Sequence, residues 1–128
     1  MVIRAVIFDL DGTLIDTTHE IQYIFNQLLE SYSLPKRPLD FFKKNIGNGV
    51  EDLLQKSLPV DYSDDISPML EKVKIIYAEN LNKKSRPFKG ITEILDLLKE
   101  NGIQIGIITN KMHHLAIRCI DKFFPTHR

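Results

Sequence analysis

A chain of 128 residues with 43% apolar content is long enough for one globular domain with a modest core. Seventeen basic residues balance seventeen acidic ones, so no basic stripe is available for a nucleic-acid backbone or an anionic membrane surface. The single cysteine, Cys119, excludes an internal disulfide.

In chain order, Val2 to Leu10 is a β-branched and aromatic run with little polar alternation, which predicts a parallel strand covered on both faces. It is too short, and too soon interrupted by Arg4 and Asp9, for a signal-peptide core or a membrane span; the expected location is cytoplasmic. From Asp16 onward, Ile21, Ile24, Phe25, Leu28, Leu29 and Tyr32 follow a helical period, and Thr17 with Glu20 has capping-box spacing. Pro35 and Pro38 end that helix. A short segment from Leu39 to Ile46 follows, then Gly47-Asn48-Gly49 leads into Val50, Leu53, Leu54 and Leu58. Ser67-Pro68 starts another helix, which carries Leu70, Val73, Tyr77 and Leu81 on one face. Ile91, Ile94, Leu95 and Leu98 line a helix ending at Asn101-Gly102; Ile103 to Ile108 reads as a second buried strand. Leu115, Cys119, Ile120 and Phe123 mark a last helix, with Cys119 as a buried structural thiol and no third strand.

The order strand, helices, helix, strand, helix predicts an α/β fold: a partial Rossmann-like parallel sheet with two core strands and an inserted all-helical cap. The expected division is 1–15 and 86–128 for the incomplete core and 16–85 for the cap. Ligands of such sheets bind at the carboxyl ends of the strands, where Asp9, Asp11 and Thr109 fall.

Two acids two positions apart at a strand end present both carboxyl groups to one small volume. Their repulsion is offset by a hard cation such as Mg²⁺ or by keeping one group protonated. Gly12 permits a sharp turn and close approach of an anion, and the Thr13 hydroxyl can tie that turn, so this loop suits phosphate. His113 and His114 face different sides of a helix and, like His19, read as solvated residues. Lys111, just past a strand end, reads as a solvated residue at a helix start in preference to a cation serving the strand-end acids. The Gly47-Asn48-Gly49 stretch fits a simple turn or a substrate-specificity loop equally well.

Asp9-Leu10-Asp11-Gly12-Thr13-Leu14 after an N-terminal apolar strand resembles the first motif of the haloacid dehalogenase-like hydrolases. Ile105-Gly106-Ile107-Ile108-Thr109-Asn110-Lys111 is similar to their second. Ile46-Gly47-Asn48-Gly49-Val50 and Pro87-Phe88-Lys89-Gly90-Ile91 resemble the phosphoglycolate phosphatase-like branch. The resemblance implies hydrolysis of a phosphate monoester of a small, phosphoglycolate-like metabolite. Asp9 would be the nucleophile and Asp11 the acid/base. Gly12, Thr13, Thr109 and Asn110 would bind phosphate. Mg²⁺ would be held by the Asp9 carboxylate and the Asp11 carbonyl. Asp11 argues against dehalogenation, because a halide needs no proton to leave, and the long insertion argues against a phospho-acceptor receiver domain.

The family also places a Lys in a third motif and acids in a fourth, well beyond the second, whereas 17 residues follow Lys111. A truncated chain with impaired catalysis is therefore expected, its open sheet edges inviting self-association. The alternative is an inactive remnant that binds phosphate or a protein partner.

Overall fold

The computed structural model describes every residue from Met1 to Arg128. Strand β1, Ala5–Phe8, pairs in parallel with β4, Gln104–Ile107, in the register Ala5 to Gln104 and Phe8 to Ile107. The pairing extends at both ends, where the Gln104 N–H donates to the Arg4 carbonyl and the Ile108 N–H to the Phe8 carbonyl, both at 2.9 Å. Both strand ends carrying the candidate acids and the candidate threonine thus emerge side by side. The expected covering of both strand faces is not observed. Ile7 is 63% exposed and Ile108 69%, because helices lie against only one face of this two-stranded sheet.

After β1 come the first four helices: α1, Thr18–Ser31; α2, Leu39–Asn45; α3, Val50–Ser57; and α4, Ser67–Asn80. Helix α1 buries Ile21, Ile24, Phe25, Leu28 and Leu29, the stripe its period predicts. That stripe packs on α4, which supplies Met69, Val73, Ile76 and Tyr77, and on α2, whose Phe42 ring lies 6.2 Å from that of Phe25. The proline-bounded connection before α2 is clamped from two sides. Asn26 accepts from the Arg37 N–H at 2.8 Å and donates to the Arg37 carbonyl at 2.9 Å, while the Arg37 guanidinium donates to the carbonyls of Ser57 and Leu58.

The capping box does not form. Thr17 makes no side-chain cap, and Glu20, almost fully buried, accepts instead from the Lys84 N–H at 2.9 Å, a donor 64 residues away. The buried Glu20 carboxylate is thus spent on a backbone N–H of the returning loop, since a buried acceptor left unpaired is costly.

Two strands were not expected. β2, Ile15–Asp16, pairs antiparallel with β3, Arg86–Pro87, zipping together the points where the chain enters and leaves the four-helix segment. Two residues are too short to show any periodicity. The chain then forms α5, Ile91–Glu100, leads through β4, and ends in α6, His113–Phe123, which buries Leu115 and Cys119 as the pattern predicts, adds Ala116, and leaves Ile120 and Phe123 half-buried.

Candidate active site

The turn after β1 is built by backbone. The Leu10 carbonyl accepts from the N–H groups of Thr13, Leu14 and Ile15 at 3.0–3.3 Å, and the Gly12 N–H donates to the Ile15 carbonyl at 2.9 Å. Gly12 sits at φ +80°, a conformation side chains disfavour, so glycine is what lets the chain reverse here. The Thr13 hydroxyl, expected to tie the turn, is solvent-exposed, and the three bonds to one carbonyl do that work.

Asp9, Asp11, Thr109, Asn110 and Lys111 line one small cleft that opens to solvent. Its opposite wall is apolar and comes from the helical segment: Ile21 and Phe25 of α1, Ile46 before the glycine loop, and Val50 and Leu53 of α3. A few convergent polar groups facing an apolar wall is an arrangement that small-molecule sites share. Gly47 and Gly49 also line it, and the Asn110 amide donates to the Gly47 carbonyl at 2.7 Å. Of the two roles open for the glycine loop, the structure places it at the site, held down by a strand-end side chain.

The Asp9 carboxylate accepts from the Leu10 N–H at 2.9 Å through Oδ1, and the residue is solvent-exposed at the cleft mouth. The Thr109 hydroxyl accepts from the Lys111 N–H at 3.1 Å, which leaves its own proton to donate to a ligand. Gly12 and Thr13 lie on the exposed outer side of the turn and are not among the cleft-lining residues.

Lys111 is where the residue pattern misleads. Its side chain is 2% exposed, and its ammonium donates to Asp11 Oδ1 at 2.9 Å and to the Tyr77 hydroxyl at 3.1 Å. Burial works against this charge, and the Asp11 carboxylate, through its charge and its hydrogen bond to the ammonium, works for it. Burial also drives the Tyr77 phenol well above the usual tyrosine range, so it stands here as a neutral hydroxyl. Tyr77 was legible as an apolar helix position only; nothing local to its sequence announces a partner 34 residues on. His19, His113 and His114 are exposed, as solvated residues should be.

No group of three or more His, Cys, Asp or Glu side chains gathers in the molecule. The acids at the cleft nevertheless suit a magnesium ion, which takes one or two protein oxygens, keeps several waters and shares phosphate oxygens with its ligand. Asp9 has a carboxylate oxygen with no protein donor, whereas the Asp11 carboxylate is engaged by Lys111.

The profile of the haloacid dehalogenase-like hydrolases matches residues 6–127. A phosphoglycolate phosphatase of Caulobacter vibrioides is 31% identical over 122 residues, covering 91% of this chain and 51% of that protein. One from Aquifex aeolicus is 31% identical over 118 residues, covering 92% and 54%. Among solved structures, one described as a predicted phosphoglycolate phosphatase from Haemophilus somnus superimposes with a TM-score of 0.85 at 26% identity, over 95% of this chain and 58% of that one. A haloacid dehalogenase-like family hydrolase from Streptococcus pneumoniae shares the fold, with a TM-score of 0.83 at 23% identity over 98% and 57%. The chain spans about half the length of the curated relatives it matches. With the acid-bearing strand end, the neighbouring threonine and a profile match over nearly every residue, the chain belongs to the haloacid dehalogenase-like hydrolase family.

Proposed function

We propose that this chain supplies the nucleophile, the acid/base and the helical cap of a phosphatase that cleaves monoesters of a small phosphorylated metabolite. The observation that carries this reading is the convergence of Asp9, Asp11 and Thr109 on one cleft under an apolar wall. An Asp9 oxygen bonds to phosphorus as the bond to the alcohol oxygen breaks, and Asp11 gives that oxygen a proton. Asp11 then takes a proton from water as the water oxygen bonds to phosphorus. The Asp9–phosphorus bond breaks, and inorganic phosphate leaves. Thr109 donates its hydroxyl proton to a phosphoryl oxygen throughout, and a magnesium ion held by the Asp9 carboxylate and the Asp11 carbonyl would neutralise part of the phosphate charge. Residues 16–85 are the cap on this reading, with β2 and β3 as its two-stranded joint to the core.

Phosphoglycolate itself follows from the curated relatives' names and is the first substrate to try. A second reading is favoured by the length relation to those relatives: the chain binds phosphate without turning over a monoester. Assay of the pure chain with phosphoglycolate and an aryl phosphate, with and without magnesium, separates the two. Turnover that disappears in Asp9→Asn supports the enzyme. Phosphate binding without turnover at any magnesium concentration supports the second reading.

A further inference from the structure

We propose that Lys111 is the positioning residue of Asp11, and that Tyr77 makes this positioning depend on helix α4 being seated against the strand ends. The inference rests on the phosphatase reading above and adds residues to it.

The geometry is unusual for a lysine. Its side chain lies almost wholly out of water between the end of β4 and α4. A buried ammonium persists only where its N–H groups are spent on partners, and two of the three are accounted for, on Asp11 and on Tyr77. The same residue's backbone N–H fixes the Thr109 hydroxyl. One residue therefore touches the proposed acid/base, the proposed phosphate ligand and the helical wall opposite them.

Holding Oδ1 sets the plane of the Asp11 carboxyl group and leaves Oδ2 to exchange a proton with the leaving oxygen or with water. Reactive groups held within a fraction of an ångström of the required geometry gain most of their advantage from such second contacts. The Tyr77 hydroxyl contributes nothing to Asp11 directly; it acts by keeping the ammonium in place. When α4 moves away from the strand ends, Lys111 loses that partner and the carboxyl group loses its fixed orientation. The Asn110 to Gly47 bond ties the glycine loop to the same strand end, so two links between the helical wall and the end of β4 meet at residues 110 and 111.

The test uses the full chain labelled uniformly with ¹⁵N, with orthophosphate plus magnesium as the ligand, and follows the Lys111 ammonium resonance and the Thr109 amide. The parent chain should show a slowly exchanging Lys111 ammonium that shifts when phosphate binds. In Tyr77→Phe, which preserves the ring, ammonium exchange should accelerate by roughly tenfold. The phosphate-induced shift at Lys111 should vanish while phosphate affinity, read at Thr109, stays within about threefold. Asp11→Ala, which removes the acceptor, should also release the ammonium and provides a second variant should Tyr77→Phe fold poorly. An ammonium equally protected in both variants overturns the proposal. So does a Thr109 amide that responds to phosphate beside a silent Lys111 in the parent chain. If Thr109 is also silent at saturating phosphate, the phosphatase reading fails and the positioning role falls with it.

Discussion

At Asp11 the structure sets a charged pair where the cation is buried and the acid is nearly so. Removing the Lys111 charge leaves a carboxylate with 13% of its side chain exposed and no protein counter-charge. Breaking such a pair costs about 3–5 kcal/mol, and Lys111→Met should fall near the lower end because some water still reaches Asp11. Urea unfolding of the variant checks this, and a change below about 1 kcal/mol would show that the pair contributes no more than a surface ion pair. Cys119 makes a second prediction. Burial pushes its thiol from 9.0 up to about 11, so its protonated form favours the fold fully below 9 and ever less as pH rises through about 11. The native thiol should resist alkylation at neutral pH and react freely after denaturation; fast native labelling would contradict its burial. Gly12 makes a third. No atom lies within 4 Å of where a side-chain carbon would sit, so Gly12→Ala should cost only the conformational strain of its positive φ, about 1–2 kcal/mol, measurable by thermal unfolding.

Among elements, the helical segment carries most of the buried apolar side chains, and α1 is its keel, packing on both α2 and α4. Phe25 has no solvent exposure and meets Phe42, so Phe25→Ala should destabilise by about 3–5 kcal/mol. Because the same ring lines the cleft, the variant should also alter binding of any ester whose leaving group rests on that wall, which a titration with a non-hydrolysable monoester would reveal. The β2–β3 ladder joins this segment to the sheet through paired backbone at Ile15–Pro87 and Asp16–Arg86, with the Phe88 N–H donating to Leu14 beside it. Proline at position 87 confines that ladder to a short edge, in keeping with its missing donor.

Taken as a whole molecule, the chain has an apolar helical half and a two-stranded sheet with one bare face. Val2, Ile3, Ile7 and Ile108 are all more than 60% exposed, and unpaired edges flank the strands. A sheet of this kind is stable only when covered or paired. Sedimentation of the pure chain should show association that increases with concentration and is suppressed by Ile7→Lys; a monomer at every concentration would contradict this. No helix is long and apolar enough to cross a membrane.

Read alone, the residue order determined the alternation of strands and helices, most of the apolar stripe of α1, and the placing of two acids and a threonine at strand ends; in α5 only Leu95 of the expected stripe is buried and Ile94 is exposed. These properties repeat at short range, with periods of two and of 3.6 residues, and a six-residue motif is local by construction. Tertiary structure decided whatever depends on partners far apart in sequence. Glu20 abandoned its local cap for Lys84, the strands β2 and β3 formed from two residues each, and Lys111 turned inward to Asp11 and Tyr77 instead of outward to water. The physical reason is shared: burial raises the cost of an unpaired charge or N–H, so each such group binds whichever partner the fold brings within reach.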